Sequence, residues 1–135
     1  MTNEEKQLLI KDLCARSPYG IKVCYIEHEY GIKSTWDVDY IIPNNGQIIT
    51  KEPYGRFSIN DVKPYLRPMS LMTKEEIKEY HNRCEFNDCD YTGKELWIDT
   101  IESFDYLNSI GIDYRGLIRM GLALEAKEGM YNSNN

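Results

Sequence analysis

The chain has 135 residues, 41% hydrophobic and 28% charged. That is enough apolar material for one core, and it excludes a disordered or low-complexity segment. A formal net charge of −6 argues against general nucleic-acid binding and against adhesion to an anionic membrane surface, both of which need cationic neutralisation of phosphates.

The charge is uneven. Residues 1–50 sum to −2, residues 51–83 to +2 and residues 84–135 to −6. No run approaches the roughly 20 apolar residues that span a bilayer. The N-terminal MTNEEKQLLIKDL is charged and amphipathic, with no apolar signal core or cleavage site. The expected location is the cytoplasm, and Cys14, Cys24, Cys84 and Cys89 are expected there as reduced thiols.

Residues 3–16 read as a helix capped by Thr2 or Asn3, with Glu4 and Glu5 at its positive end and Leu9, Ile10, Leu13 and Cys14 on one face. Ser17 to Gly20 ends it. A strand is expected over 21–29 and a second over 34–42, with Trp36, Val38, Tyr40 and Ile42 on one face and Thr35, Asp37 and Asp39 on the other. Pro43-Asn44-Asn45-Gly46 is the strongest turn signal, since Asn-Gly tolerates the positive φ of a tight hairpin. Short strands follow at about 47–51 and 56–59.

Residues 60–72 hold two prolines and read as a short turn and an extended linker. Thr73 and Glu76 form a capping box for a helix to about Cys84, with Ile77, Tyr80, His81 and Cys84 sharing a face. Residues 85–94 are acidic and turn-rich. A third helix is expected over about 95–109, with Trp97, Ile101, Phe104 and Leu107 at helical spacing and Gly111 as its stop. Asp113 is placed to cap a further short helix, Tyr114 to Met120, and Leu122 to Glu125 is expected to dock on the body. The fold class is therefore α+β: an N-terminal helix on an antiparallel meander of three or four strands, followed by two or three C-terminal helices. Residues 1–130 form the single domain and 131–135 a flexible tail.

Several constellations have chemical potential. His81, Cys84 and Cys89 form H-x2-C-x4-C, which offers soft zinc ligands but lacks the second ligand pair of a closed structural site. Cys24 and His28 lie four residues apart on a strand, roughly 13 Å, too far to share an ion. A Cys–His nucleophile pair lacks an orienting third group, and no Gly-x-Ser-x-Gly elbow is present. Asp37 with Asp39, and Glu27 with Glu29, alternate as a solvated sheet face does. No phosphate loop or dinucleotide fingerprint exists. No cofactor and no catalytic residue are assigned.

The middle segment interleaves basic and aromatic side chains: Lys51, Tyr54, Arg56, Phe57, Lys63, Tyr65, Arg67 and Lys74. Residues 51–74 sum to +3. Tyr54, Arg56, Phe57, Lys63, Tyr65 and Arg67 are the candidate ligand-binding residues, because stacking plus charge recognises a nucleotide or oligonucleotide. His81, Cys84 and Cys89 are the fallback set for a small thiol or metal enzyme.

Two blocks carry a resemblance. One runs from Val62-Lys63-Pro64-Tyr65-Leu66-Arg67-Pro68-Met69-Ser70 to Met72-Thr73-Lys74-Glu75-Glu76. The other joins Phe104 to Asn108 with Asp113 to Ile118 and Gly121 to Ala126. With the N-terminal Lys6 to Gly20, they resemble a family of small proteins of Bacteroidetes-type gut bacteria, their prophages and their phages. The resemblance brings no activity, cofactor or catalytic residue. It implies an accessory protein of a mobile element, in the host cytoplasm if phage-encoded. The expected function is stoichiometric binding of another protein or a small anionic ligand, for example in inhibition of host defence, and is not enzymatic. Homo-oligomerisation stays open.

Overall fold

The computed structural model describes residues 1–89 and 91–131. Helix α1 (Asn3–Arg16) starts at a full capping box between Thr2 and Glu5. Five strands follow: β1 (Lys22–Ile26), β2 (Lys33–Ile42), β3 (Gln47–Thr50), β4 (Arg56–Ser58) and β5 (Val62–Pro68). Helix α2 (Lys74–Arg83) leads into a hairpin, β6 (Glu85–Cys89) and β7 (Glu95–Ile98). Helix α3 (Ile101–Ser109), β8 (Ile112–Asp113) and β9 (Leu124–Glu125) complete the fold.

The α+β class holds, but the sheet is larger than a four-stranded meander. Seven strands run in the order β4-β3-β2-β1-β5-β8, with β9 also on β5. The first five pair antiparallel, while β8 and β9 both run parallel to β5. Leu9, Ile10 and Leu13 of α1 bury one sheet face, against Val23, Val38, Ile48, Val62 and Leu66.

Two corrections come from backbone detail. The alternation of Trp36, Val38, Tyr40 and Ile42 predicts one continuous face for β2. A bulge between Val38 and Tyr40 breaks it. Beyond the bulge Ile41 pairs with the buried Ile48, and Tyr40 is 50% exposed. One extra residue reverses every later side chain.

The second concerns 60–72, whose prolines predict a linker. Instead β5 lies in the sheet interior, with Val62, Pro64 and Leu66 buried. The prolines are tolerated because each stands where no ladder donor is required. Pro64 is the last residue of β5 paired with β1 (Val23↔Pro64), and Pro68 ends the strand. One more step of this register would set Lys22 opposite Tyr65. The Tyr131 hydroxyl occupies that gap: it accepts from the Lys22 N–H at 2.8 Å and donates to the Tyr65 carbonyl at 2.7 Å. Tyr131, read from sequence as the first residue of a frayed tail, is thus a cross-strand bridge. Residues 132–135 lie outside the described residues.

The C-terminal region also departs from expectation. Residues 85–94 are predicted as a loop and 95–98 as the start of a helix; Glu85–Cys89 and Glu95–Ile98 instead pair as the β6–β7 hairpin, Asp90 lying outside the described residues, and α3 begins only at Ile101. Thr100 caps it, reciprocally with Ser103. Asp113 does cap, accepting from the Leu117 and Ile118 N–H groups at 2.9 Å. The segment it caps is a series of turns rather than a helix, punctuated by Gly116 and Gly121 at φ +77°.

An ion network ties the C-terminal part to α1. Asp12 and Arg16 are fully buried. The Asp12 carboxylate accepts from Arg16 Nε at 2.8 Å and from Arg115 Nε at 3.0 Å. Both guanidinium groups lie against the Tyr114 ring, at 5.3 and 4.9 Å from its centroid.

Candidate functional site

The six sequence-predicted binding residues do not converge. Arg56 and Phe57 stand on β4 at one edge of the sheet; Lys63, Tyr65 and Arg67 stand on β5, beyond β3, β2 and β1. Phe57 points to the core side, stacked on Tyr25 at 4.4 Å and edge-on to Trp36 at 5.0 Å. Lys63 and Tyr65 alternate with buried Val62, Pro64 and Leu66 and so face the other way. Tyr54 is 81% exposed in the β3–β4 connection. Arg67 is taken by a structural pair. Sequence proximity placed these residues in one segment, and the sheet order spreads them.

Nor do the sulfur and imidazole candidates gather. His81 is stacked flat on Trp97, with centroids 4.5 Å apart and planes at 4°. The Cys84 thiol sits 3.9 Å from an Asp99 oxygen, and Cys89 ends β6 at the exposed tip of the hairpin. Among the described residues no three His, Cys, Asp or Glu side chains come close enough to hold a metal.

What stands out is the lobe formed by α2 and the hairpin. Arg67 roots it: its guanidinium forks onto the Glu76 carboxylate at 2.6 and 2.7 Å and also donates to the Ile110 carbonyl at 3.1 Å. Glu76 closes the capping box with Thr73 as well. The Arg67 hydrogen bonds hold the Glu76 carboxyl below its ordinary value against an opposing desolvation.

Polar and aromatic contacts continue up the lobe. Arg83 pairs with Glu79 at 2.7 Å and lies 4.8 Å over the Tyr106 ring of α3. The Tyr80 hydroxyl donates to Asp99, and the Thr100 hydroxyl to the Arg83 carbonyl. Burial first, then Asp99 and Cys84, push the Tyr80 phenol well above its usual range.

These contacts replace a core rather than surround one. From 69 to 102 no described residue is buried. The same stretch carries half of the exposed large hydrophobic side chains found among the described residues: Met69, Leu71, Ile77, Phe86, Tyr91, Leu96, Ile98 and Ile101. Ile77 stands one helical turn before His81, His81 stacks on Trp97, and Trp97 meets Phe86 edge-on at 5.0 Å. The result is a connected apolar stripe whose ends, Ile77 and Phe86, are 42% and 50% exposed. On the opposite ribbon face Leu96 and Ile98 are 39% and 44% exposed. Sequence reasoning missed this surface because it assigned 85–98 to a loop and a helix. The available signal was the turn pair Thr92-Gly93 followed by a short β-prone apolar run, Leu96-Trp97-Ile98.

At the root of the lobe opens a cleft of 970 Å³. Arg67, Leu71, Glu75, Glu76, Glu125 and Glu128 are among its lining residues. No helix among the described residues is long and apolar enough to cross a membrane. Comparison with family models, with curated proteins and with solved structures returns no match.

Proposed function

We propose that the protein acts by stoichiometric binding of another protein, with the α2–hairpin lobe as its docking surface. The observation that carries this is the lobe's composition: about a quarter of the chain, without one buried residue among those described, holds half of the exposed large hydrophobics of the described residues. A two-stranded ribbon is marginal alone, and exposed apolar patches on soluble proteins mark interaction surfaces. A small stoichiometric binder also suits the mobile-element setting that the sequence resemblance implies.

The test is affinity capture from the native host with immobilised wild type and with an Ile77→Ser/Phe86→Ser variant. Both positions are exposed, Phe86 with one edge contact to Trp97, and a thermal melt of the variant checks that the fold is retained. A partner recovered one-to-one by wild type and lost with the variant supports the role. A partner captured equally by both places the docking surface elsewhere.

A further inference from the structure

The chemistry of the partner can be read from the lobe's charge, given the docking role proposed above. Residues 69–102 contain nine acidic and four basic residues, so they carry −5 of the protein's −6. The rest of the chain is almost neutral. Apolar surface and negative charge are therefore concentrated in the same segment. We propose that the lobe receives a cationic amphipathic segment of a partner protein, whose apolar side chains cover the Ile77–His81–Trp97–Phe86 stripe.

Three features favour that occupant. First, long-range attraction: a surface of this sign raises the encounter rate of a basic partner and repels an acidic one. Second, the cleft at the lobe's root sets Glu75, Glu125 and Glu128 beside the paired Arg67 and Glu76, so that its carboxylates outnumber its cations, Arg67 and Lys127, by four to two. That supplies acceptors for a lysine or arginine head at the end of the apolar stripe, while Leu71, itself 59% exposed, offers contact for its methylene stem. Third, the Phe86 ring, 50% exposed, offers an aromatic surface that favours cations over anions, whereas one face of Trp97 is already taken by His81. A second copy of this chain joined lobe to lobe would bring two surfaces of −5 together, and an anionic membrane is repelled for the same reason.

The experiment uses the intact protein, labelled for backbone NMR, and three synthetic peptides of about 18 residues, long enough for a helix of about 27 Å. One alternates leucine and lysine at helical spacing, one carries glutamate in place of every lysine, and one carries serine in place of every leucine. The expected result is binding of the leucine–lysine peptide, with shifts confined to 71–104 and 125–128. Affinity is expected to fall about tenfold between ionic strengths of about 0.05 and 0.3 M, and about tenfold again in Ile77→Ser/Phe86→Ser.

The arms separate the two layers of the inference. Equal or tighter binding of the leucine–glutamate peptide at the lobe keeps the docking surface and overturns the cationic partner. Equal binding of the lysine–serine peptide shows attraction by charge alone and overturns the amphipathic occupant. No lobe shifts with any peptide at millimolar concentration overturn the docking surface itself. As a fold-independent check, Glu75→Lys/Glu85→Lys on the exposed lobe surface is expected to weaken the leucine–lysine peptide and strengthen the leucine–glutamate one. A change in neither overturns the charge assignment.

Discussion

Replacing Tyr131 by Phe removes one oxygen and leaves the ring. That oxygen accepts from the Lys22 N–H and donates to the Tyr65 carbonyl, where β1 and β5 have parted after Pro64. Without it a backbone donor and acceptor in a confined gap lose their partner. An orphaned buried polar group costs about 1–3 kcal/mol, so Tyr131→Phe should lower unfolding free energy by about 2 kcal/mol, with an unchanged urea m-value. Tyr131→Ala also empties the ring site, and about 3–5 kcal/mol is expected. Gly111 gives an internal control. A Cβ there would lie 3.1 Å from the Tyr131 ring, on a backbone held at φ +75°. Gly111→Ala therefore costs both strain and contact, and only the contact part vanishes in a Tyr131→Ala background. A double-mutant cycle should show coupling of about 0.5 kcal/mol or more. A Tyr131→Phe loss below about 0.5 kcal/mol together with strict additivity would refute the bridge.

The buried network gives a second prediction: Asp12→Asn leaves the buried Arg16 and the half-buried Arg115 without their shared anion. It is expected to cost about 3–5 kcal/mol in urea unfolding, and an Asp12→Leu/Arg16→Met pair should recover much of it. A third concerns acid: the folded Glu76 carboxyl lies below its ordinary value, so its stabilisation is present above pH about 4.3 and is lost as pH falls through the folded value. Glu76→Gln should remove that acid-side slope in thermal melts. A fourth concerns alkali. Burial raises the Tyr131 phenol, so its stabilisation is complete below pH about 10 and is lost as pH climbs toward the folded value. Tyr131→Phe should lack that decline. The last concerns dynamics: amides of β6 and β7 should exchange much faster than those of β1 and β5, because no buried core protects the ribbon.

The parts of the fold legible in the sequence were those fixed by local chemistry. The cap at Thr2 or Asn3, which falls on Thr2, the Thr73 capping box, the turn at Gly46 with φ +62° and the stop at Gly111 all follow from residues within four positions of one another. Errors arose where a distant partner decides. Pro64 looks like a breaker until β1 is known to leave it at the end of their ladder. Asp39 looks like an ordinary alternating position until β3 imposes the bulge. The helical spacing of Trp97, Ile101 and Phe104 is real, yet the first of them lies in a strand and only the other two in α3. Periodicity over so short a run does not separate the two. The basic–aromatic segment is spread out for the same reason: adjacency in the chain is not adjacency in a sheet whose order is β4-β3-β2-β1-β5.

The contrast between body and lobe also explains why Arg67 occupies the position it does. A lobe with no core cannot be held on the body by burial, because it has too little apolar surface turned inward. It must be held by directional bonds, which fix orientation at small contact area. Arg67, near the end of β5, supplies two of them to Glu76 in the first turn of α2, while a third bond, to the Ile110 carbonyl just beyond α3, fixes the guanidinium on the body. A lysine could make one such bond but not the fork. Arg67, one of the six candidate ligand-binding residues in the sequence, therefore serves as an anchor. By holding α2 through its polar side, it leaves Ile77 and the hairpin stripe turned outward and uncovered.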